Sequence, residues 1–285
     1  MAEPALSEEH IDIILDKMYC QRGWDFRRYR KSSLRRCIER RLAFSRLPYE
    51  HYINLLDTEP KEFHYLFNQI TIKVSEFFRD PEVFQKIEKY VIPETAGRLK
   101  SKNQSTLRVW SSGCARGEEP YSLALLLANE RERYYCGHNG NGNTGGEFPC
   151  NIKIFATDID EISIELARRG VYNEPFLQNV SLYFKNHYFK SIDNSYQLIS
   201  QIRNLVTFGI HNIVSNIHLS HIDIAICRNL LIYFEKDLQE KVIEKFWYAL
   251  DKGGFLILGK SEVIPPALRN RFAEVFRKEK IYQKI

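Results

Sequence analysis

The chain lacks the residue spacings of a metal or disulfide protein, and it lacks any apolar run long enough to span a bilayer. Its six cysteines (Cys20, Cys37, Cys114, Cys136, Cys150, Cys227) include no CxxC pair. In a chain of 285 residues with no secretion signal, scattered thiols read as reduced. The eight histidines contain no HExxH. His218 and His221 precede a strand and read as turn residues, so no metal is expected. Met1 to His10 is polar and acidic, unlike a leader, so a cytoplasmic protein without direct membrane insertion is expected. Acidic residues are scarce between 22 and 46: ten basic residues from Arg22 to Arg46 face only Asp25 and Glu39. That asymmetry points to an anionic partner for this part of the chain.

What is present divides into two regions. Residues 1–70 read as a small, basic, all-helical domain. Ser7 is placed to cap a helix carrying Ile11, Ile14, Leu15 and Met18 at helical spacing. Ser32–Ser45 forms a second helix, with Leu34, Ile38 and Leu42 on one face and Arg35, Arg36, Arg40 and Arg41 largely off it. Tyr49–Asp57 and Lys61–Ile70 give two more. Residues 71–90 form a linker, expected to contribute to the active site. Residues 91–285 alternate strand and helix, after a helix over 82–99 with a break at Pro93. This reads as an α/β, mostly parallel, doubly wound sheet of Rossmann-like type. Short aromatic-rich segments suggest a small antiparallel β-subdomain at about 172–207, with strands at 183–184, 188–189, 196–200 and 204–208. Residues 136–149, rich in Gly and Asn, read as a surface loop.

The most informative stretch is LRVWSSGCARGEEPYS, Leu107 to Ser122. A strand enters a turn of small residues that includes Gly113 and Gly117, and a helix opens near Glu118. Small residues there let backbone approach a ligand closely. A dinucleotide site places pyrophosphate at that helix start, but Glu118 and Glu119 would repel it. They suit a ligand carrying positive charge and no phosphate, and S-adenosylmethionine, with its sulfonium and ammonium groups, is the common one. In a doubly wound sheet the ligand sits at the carboxyl ends of the strands. Asp158 in FATDID is placed there to accept ribose hydroxyls, with Asp160 as the cap of the next helix. A third strand end, Asp223 to Phe234, runs into Arg228-Asn229-Leu230 and then Tyr233. An arginine after an apolar strand needs a reason, such as a partner carboxylate.

WSSGCARGEEPYS, FATDID, CRNLLIYF, VSEFFRD and LDKGGFLILGKSE together, and in this order, closely resemble the chemotaxis receptor methyltransferases of the CheR family. The resemblance covers almost the whole chain. It implies methyl transfer from S-adenosylmethionine to glutamate side chains of chemoreceptor signalling helices, giving glutamate methyl esters and leaving S-adenosylhomocysteine. It implies cofactor contacts at Lys73, Ser75, Arg79, Gly113, Glu118, Asp158, Asn212, Ile213, Asn229 and Leu230. Lys73 departs from the Asn usual in the family. Arg79 and Tyr233 match residues placed near the transferred methyl. Arg35, Arg36, Arg40, Arg41 and Arg228 are assigned to binding the acidic substrate.

The chemistry asks for a short list of residues. A carboxylate nucleophile is already ionised at pH 7, so no general base is needed and no His or Cys is expected to be essential. Positioning and desolvation remain. Arg79 is suited to a forked contact with the substrate carboxylate, and Tyr233 can orient a reactant. Some family members capture a receptor's C-terminal pentapeptide by strand addition at a glycine-rich turn. Here the turn is Lys190 to Ser195 without glycine, which argues against that tether. A nucleic-acid methyltransferase would also suit a basic domain. No Asn/Asp-Pro-Pro-aromatic motif is present, so no nucleic-acid partner is expected. A non-catalytic cofactor-binding module is the other alternative, distinguished by tight binding without turnover.

Overall fold

A computed structural model describes residues 6–71, 75–137 and 151–285, with the side chains of 135–137 left out. Lys73 and nearly all of the Gly/Asn-rich segment therefore lie outside the described residues. The chain divides into two compact units, one of Met1–Lys73 with Tyr233–Gln239, the other of Val74–Ile232 with Glu240–Ile285.

The first unit carries α1 (Glu8–Arg22), α2 (Lys31–Ser45), α3 (Tyr49–Thr58) and α4 (Pro60–Ile70). Ser7 caps α1: its Oγ accepts the His10 N–H, and His10 Nδ1 returns a bond to the Ser7 N–H. This is a capping box with histidine in the usual glutamate position. The predicted apolar stripe Ile11, Ile14, Leu15 and Met18 is fully buried, with Leu34, Ile38, Phe63 and Leu66. Arg41 and Glu62 form a two-pronged ion pair, both contacts 2.6 Å, almost out of solvent.

The second unit begins with α5 (Pro81–Lys86) and α6 (Ile92–Ser101), joined by a π-helical turn at Ile87–Val91. The break expected at Pro93 is absent. Pro93 sits in the first turn of α6, where its missing N–H matters least, and the π turn just before it takes up the irregularity. Then follow β1 (Thr106–Ser112), α7 (Glu118–Gly137), β2 (Asn151–Asp158), α8 (Glu161–Arg169), β3 (Val171–Asn173), α9 (Leu182–Tyr188), β4 (Phe189–Ile192), β5 (Ser195–Leu198), α10 (Ser200–Arg203), β6 (Val206–Ile210), β7 (Ile222–Cys227), α11 (Lys236–Ala249), β8 (Leu250–Leu258), β9 (Phe272–Phe276) and β10 (Ile281–Lys284).

Seven strands form one sheet in the order β6-β2-β1-β7-β8-β10-β9. β6, β2, β1, β7 and β8 run parallel, and β10 and β9 close the edge antiparallel. β7 is buried along its whole length, as expected of a central parallel strand covered on both faces. The order reverses at β1, which pairs with β2 on one side and β7 on the other, so the ligand crevice of such a sheet lies at their carboxyl ends.

A second sheet, β3-β5-β4, is the small antiparallel element. Its composition differs from expectation. Tyr183 and Phe184 lie in α9, which Ser181 caps by accepting the Phe184 N–H. The segment at 204–208 forms most of β6 and pairs with β2 in the main sheet.

Candidate active site

The turn after β1 is built on alternating left-handed residues: Gly113 (φ 74°), Ala115 (φ 46°) and Gly117 (φ 91°). Its backbone turns inward. Gly113 and Cys114 donate N–H bonds to the Thr157 carbonyl at 2.8 and 3.1 Å, and Ala115 donates to Asp158 Oδ2 at 2.8 Å. Gly117 is crowded, since a Cβ would lie 3.0 Å from Ala167 Cβ and 3.1 Å from the Phe208 ring, and its φ of 91° strains any other residue. At Gly113 a Cβ would meet Leu230 Cδ2 at 3.2 Å, so two residues expected at the cofactor, Gly113 and Leu230, lie face to face.

The two glutamates opening α7 have different fates. Glu119 accepts Ser111 Oγ at 2.9 Å and Arg228 Nη1 at 3.4 Å, so its charge is committed inside the protein. Glu118 is 1% exposed, and neither carboxylate oxygen has a hydrogen-bond partner among the described residues. Burial pushes its carboxyl above the usual range, offset in part by the Ser75 side chain and the Arg116 charge.

Asp158 accepts one N–H on each oxygen, from Asp160 on Oδ1 (3.0 Å) and from Ala115 on Oδ2. A carboxylate has about four acceptor positions, so each oxygen can still take a hydroxyl. Asp160 caps α8 through the Ser163 N–H at 2.9 Å, as expected. Asn212 turns back on its own loop, accepting the Val214 N–H at 2.9 Å, and Ile213 is buried. Lys245 donates to the Ile213, Val214 and Asn216 carbonyls at 2.9, 2.8 and 2.7 Å and fixes that loop.

Arg228 directly follows β7, its side chain 2% exposed and paired to Asp80 and Glu119. The need for a partner carboxylate is met twice over. This guanidinium is enclosed by the protein's own acids and, contrary to expectation, is not presented to a substrate. Lys260 Nζ reaches Asp80 at 2.7 Å and Glu82 at 2.6 Å. Burial pushes Asp80 up, but Lys260, Arg228 and Arg79 outweigh it and hold the carboxyl below its usual range. Arg79 lies between two non-glycine residues in the left-handed region, Phe78 (φ 52°) and Asp80 (φ 58°). Such strain persists only where surroundings enforce it. Here the Phe78 N–H is held by Ser122 Oγ at 2.9 Å, and Ser122 Oγ donates to the Glu118 carbonyl at 2.7 Å. The Arg79 charge is felt at both Glu119 and Asp80.

Two family profiles match the sequence: the all-alpha domain of CheR methyltransferases over residues 9–71 and their SAM-binding domain over residues 73–281. The chain belongs to the CheR methyltransferase family. A Pseudomonas putida protein provisionally named methyltransferase Cher3 is 30% identical over 295 residues, 98% of this chain and 99% of that protein. The chemotaxis protein methyltransferase of Escherichia coli is 28% identical over 267 residues, 90% of this chain and 85% of that one. An uncharacterized 104.1 kDa protein of Rhodobacter capsulatus is 33% identical over 261 residues, 91% of this chain but 26% of its own length, so the chain spans about a quarter of that relative.

This CheR-family chain is an S-adenosylmethionine-dependent methyltransferase, and its residues fit the cofactor. The buried, unpartnered Glu118 carboxylate suits an ammonium, and the open acceptor positions of Asp158 suit a ribose diol. Ser75 acts on Glu118, and Gly113 faces Leu230. Asn229 adopts φ 59°, and its N–H is held by Glu262 at 3.1 Å. No helix among the described residues is long and apolar enough to cross a membrane.

In the helical unit of this CheR-family chain, Tyr233 is joined to the segment before α2. The Arg30 N–H donates to the Tyr233 carbonyl at 2.8 Å, and Phe234 pairs with Tyr29. A cavity of about 180 Å³ is lined by Tyr29, Ser33, Leu34, Arg36, Cys37, Arg40, Ile70 and Tyr233. Of the four predicted docking arginines, Arg36 and Arg40 are exposed and line this cavity. Arg35 donates to the Leu6 carbonyl. Arg41 is held by Glu62 and packs against the Phe44 and Tyr65 rings, which corrects its assignment to substrate binding.

Sequence reasoning passed over Asp80, Glu119 as a paired group, Lys245, Lys260 and Glu262. A signal existed for the last two, since GKSE places a Lys and a Glu directly after an apolar strand.

Proposed function

We propose that this methyltransferase transfers the methyl group of S-adenosylmethionine to glutamate side chains of chemoreceptor signalling helices, forming methyl esters, as an adaptation enzyme of chemotaxis. The observation that carries the reading is that the thiols and the imidazole near the cofactor turn are not set up as bases. Cys114 and Cys227 are fully enclosed, and burial pushes both thiols well above their usual range. His211 donates from Nε2 to the Ile217 carbonyl and sets its ring edge-on to Trp110. A nucleophile that must be deprotonated finds little help there, whereas a carboxylate arrives ionised. Relatives named chemotaxis protein methyltransferase support the same reading.

The cofactor, when bound, supplies an electrophilic sulfonium methyl. The rest is positioning. Glu118 holds the cationic end of the cofactor, and Asp158 its ribose. Arg79 offers two parallel N–H donors to the incoming carboxylate, and Tyr233 orients a reactant through its hydroxyl. Arg36 and Arg40 steer an acidic helix toward the cavity of the helical unit. The β4–β5 turn places Asp193, not glycine, in the left-handed region (φ 49°), in line with action that does not depend on a C-terminal peptide tether.

The test combines methyl-labelled S-adenosylmethionine with a receptor cytoplasmic fragment. Mild base should release the label as volatile methanol, as methyl esters do. Label that stays bound after base would place the methyl on nitrogen or carbon and overturn the proposal.

A further inference from the structure

The turn that leaves β8, Gly259 to Glu262, touches both halves of the site in the second unit with two opposite charges. Glu262 is 4% exposed. Its Oε2 accepts the Gly259 N–H at 2.7 Å and the Asn229 N–H at 3.1 Å, and its Oε1 accepts the Leu231 N–H at 2.8 Å. One buried carboxylate thus collects the backbone donors on either side of Leu230, and it is the partner that holds Asn229 in its left-handed conformation. Lys260, two residues earlier, points to the other half. It bridges Asp80 and Glu82, and Asp80 is the residue after Arg79. Gly259 is the condition for the Glu262 contacts: a Cβ there would lie 2.7 Å from Glu262 Oε2 and 2.9 Å from the Asn229 nitrogen.

We propose that Gly259–Glu262 is a two-charge clamp, in which Glu262 positions the Asn229-Leu230 segment for the cofactor and Lys260 positions Arg79 for the substrate carboxylate. Both are positioning residues that act through others. The proposal rests on the cofactor reading of Asn229 and Leu230 and on the substrate reading of Arg79. The two contacts differ physically. Those of Glu262 are buried and charge-assisted, which makes them strong and insensitive to salt. Those of Lys260 join side chains about half exposed or less, so they are screened by salt. The kinetic phenotypes should separate accordingly.

In Glu262→Gln the amide offers one oxygen where three N–H groups need acceptors. The dissociation constant for S-adenosylhomocysteine should rise about tenfold or more, with the receptor KM within about twofold. Glu262→Asp, which keeps the charge, should recover part of the affinity. Lys260→Met should leave S-adenosylhomocysteine binding unchanged, lower kcat a few-fold, and bring activity at low salt toward that of the wild type at high salt. Asn229→Gly and Arg79→Lys run alongside as tests of the underlying readings. If they leave cofactor affinity and turnover unchanged, those readings fail. If they respond while Glu262→Gln and Lys260→Met behave as wild type, the clamp is refuted. Equal losses of cofactor affinity and receptor KM in Glu262→Gln, unrelieved by Glu262→Asp, would show a role in general folding and also refute it.

Discussion

Replacing Glu118 by Gln should make the protein more stable and worse at its task. The carboxylate is 1% exposed, with no hydrogen-bond partner among the described residues, and burial raises its pKa. In the unliganded protein an ionised Glu118 is therefore a liability, and a neutral amide of the same shape relieves it. A buried, unsatisfied polar group costs about 1–3 kcal/mol and a charged one more; the amide keeps the first cost and removes only the extra cost of the charge, so Glu118→Gln should gain about 1 kcal/mol. In a unit of this size that is a rise of about 2–4 °C in Tm per kcal/mol. Cofactor binding should move the other way. A hydrogen bond between a carboxylate and an ammonium is worth about 1.5–3 kcal/mol, so the Kd for S-adenosylhomocysteine should rise about 10- to 150-fold.

The pH dependence follows from the sign of the shift. The folded-state pKa lies above the ordinary 4.5, so between those two values the folded protein binds the proton more tightly than the unfolded chain. The Glu118 contribution to apo stability is fully present below 4.5 and is lost as pH rises through the folded pKa. Cofactor affinity runs opposite, because only the ionised form pairs with an ammonium, and should fall as pH drops through the same value. Differential scanning fluorimetry and calorimetric titration with S-adenosylhomocysteine, on wild type and Glu118→Gln across pH 4–8, read both slopes. A variant with lower Tm and unchanged affinity would refute the assignment of this carboxylate to the ligand.

Arg41→Ala should destabilise the helical unit by about 3–5 kcal/mol in urea unfolding, because it strands the buried Glu62 carboxylate, whereas Arg41→Met with Glu62→Leu should recover most of that loss; equal losses in both variants would show that packing, not charge, is at stake. Cys114→Ser and Cys227→Ser should keep turnover measured by label transfer, and a folded variant with none would mean a thiol takes part. Arg36→Glu and Arg40→Glu should raise the receptor KM about tenfold at low salt and less at high salt, with cofactor Kd unchanged; a salt-independent KM would remove the steering role.

The regular elements were legible because their signals are local. Ser7 and the stripe Ile11 to Met18 announce α1, and a short run apolar except for Asp223 announces β7. Misreadings fell where local pattern and tertiary partner disagree. Tyr183 and Phe184 are aromatic enough for a strand, yet Ser181 caps them into a helix. Residues 206–208 look the same in isolation whether they join a small hairpin or β2, and only pairing across the fold puts them beside Ile154. Charge partners were the least legible of all. That Arg228 needed a carboxylate was readable, but Asp80 lies 148 residues away, and no spacing rule reaches that far.

That blindness to partners also bears on where function can be found. Six acids among the described residues are buried: Glu62, Glu118, Glu130, Asp160, Asp223 and Glu262. Glu62 holds Arg41, Glu130 holds Arg133, Asp160 caps α8, Asp223 holds Arg98 and the Arg108 N–H, and Glu262 gathers three backbone N–H groups. Each of these five answers a need of the fold. A buried acid without such an answer is unfavourable as a carboxylate: it takes up a proton more readily, or pairs with a cation from outside the chain. Glu118 is that exception, and its neighbour Glu119, identical in sequence, is not, because Arg228 and Ser111 reach it. The sequence pair Glu118-Glu119 suggested a doubly negative pocket. The structure pairs Glu119 internally and leaves Glu118 as the one carboxylate at the start of α7 suited to a cationic donor.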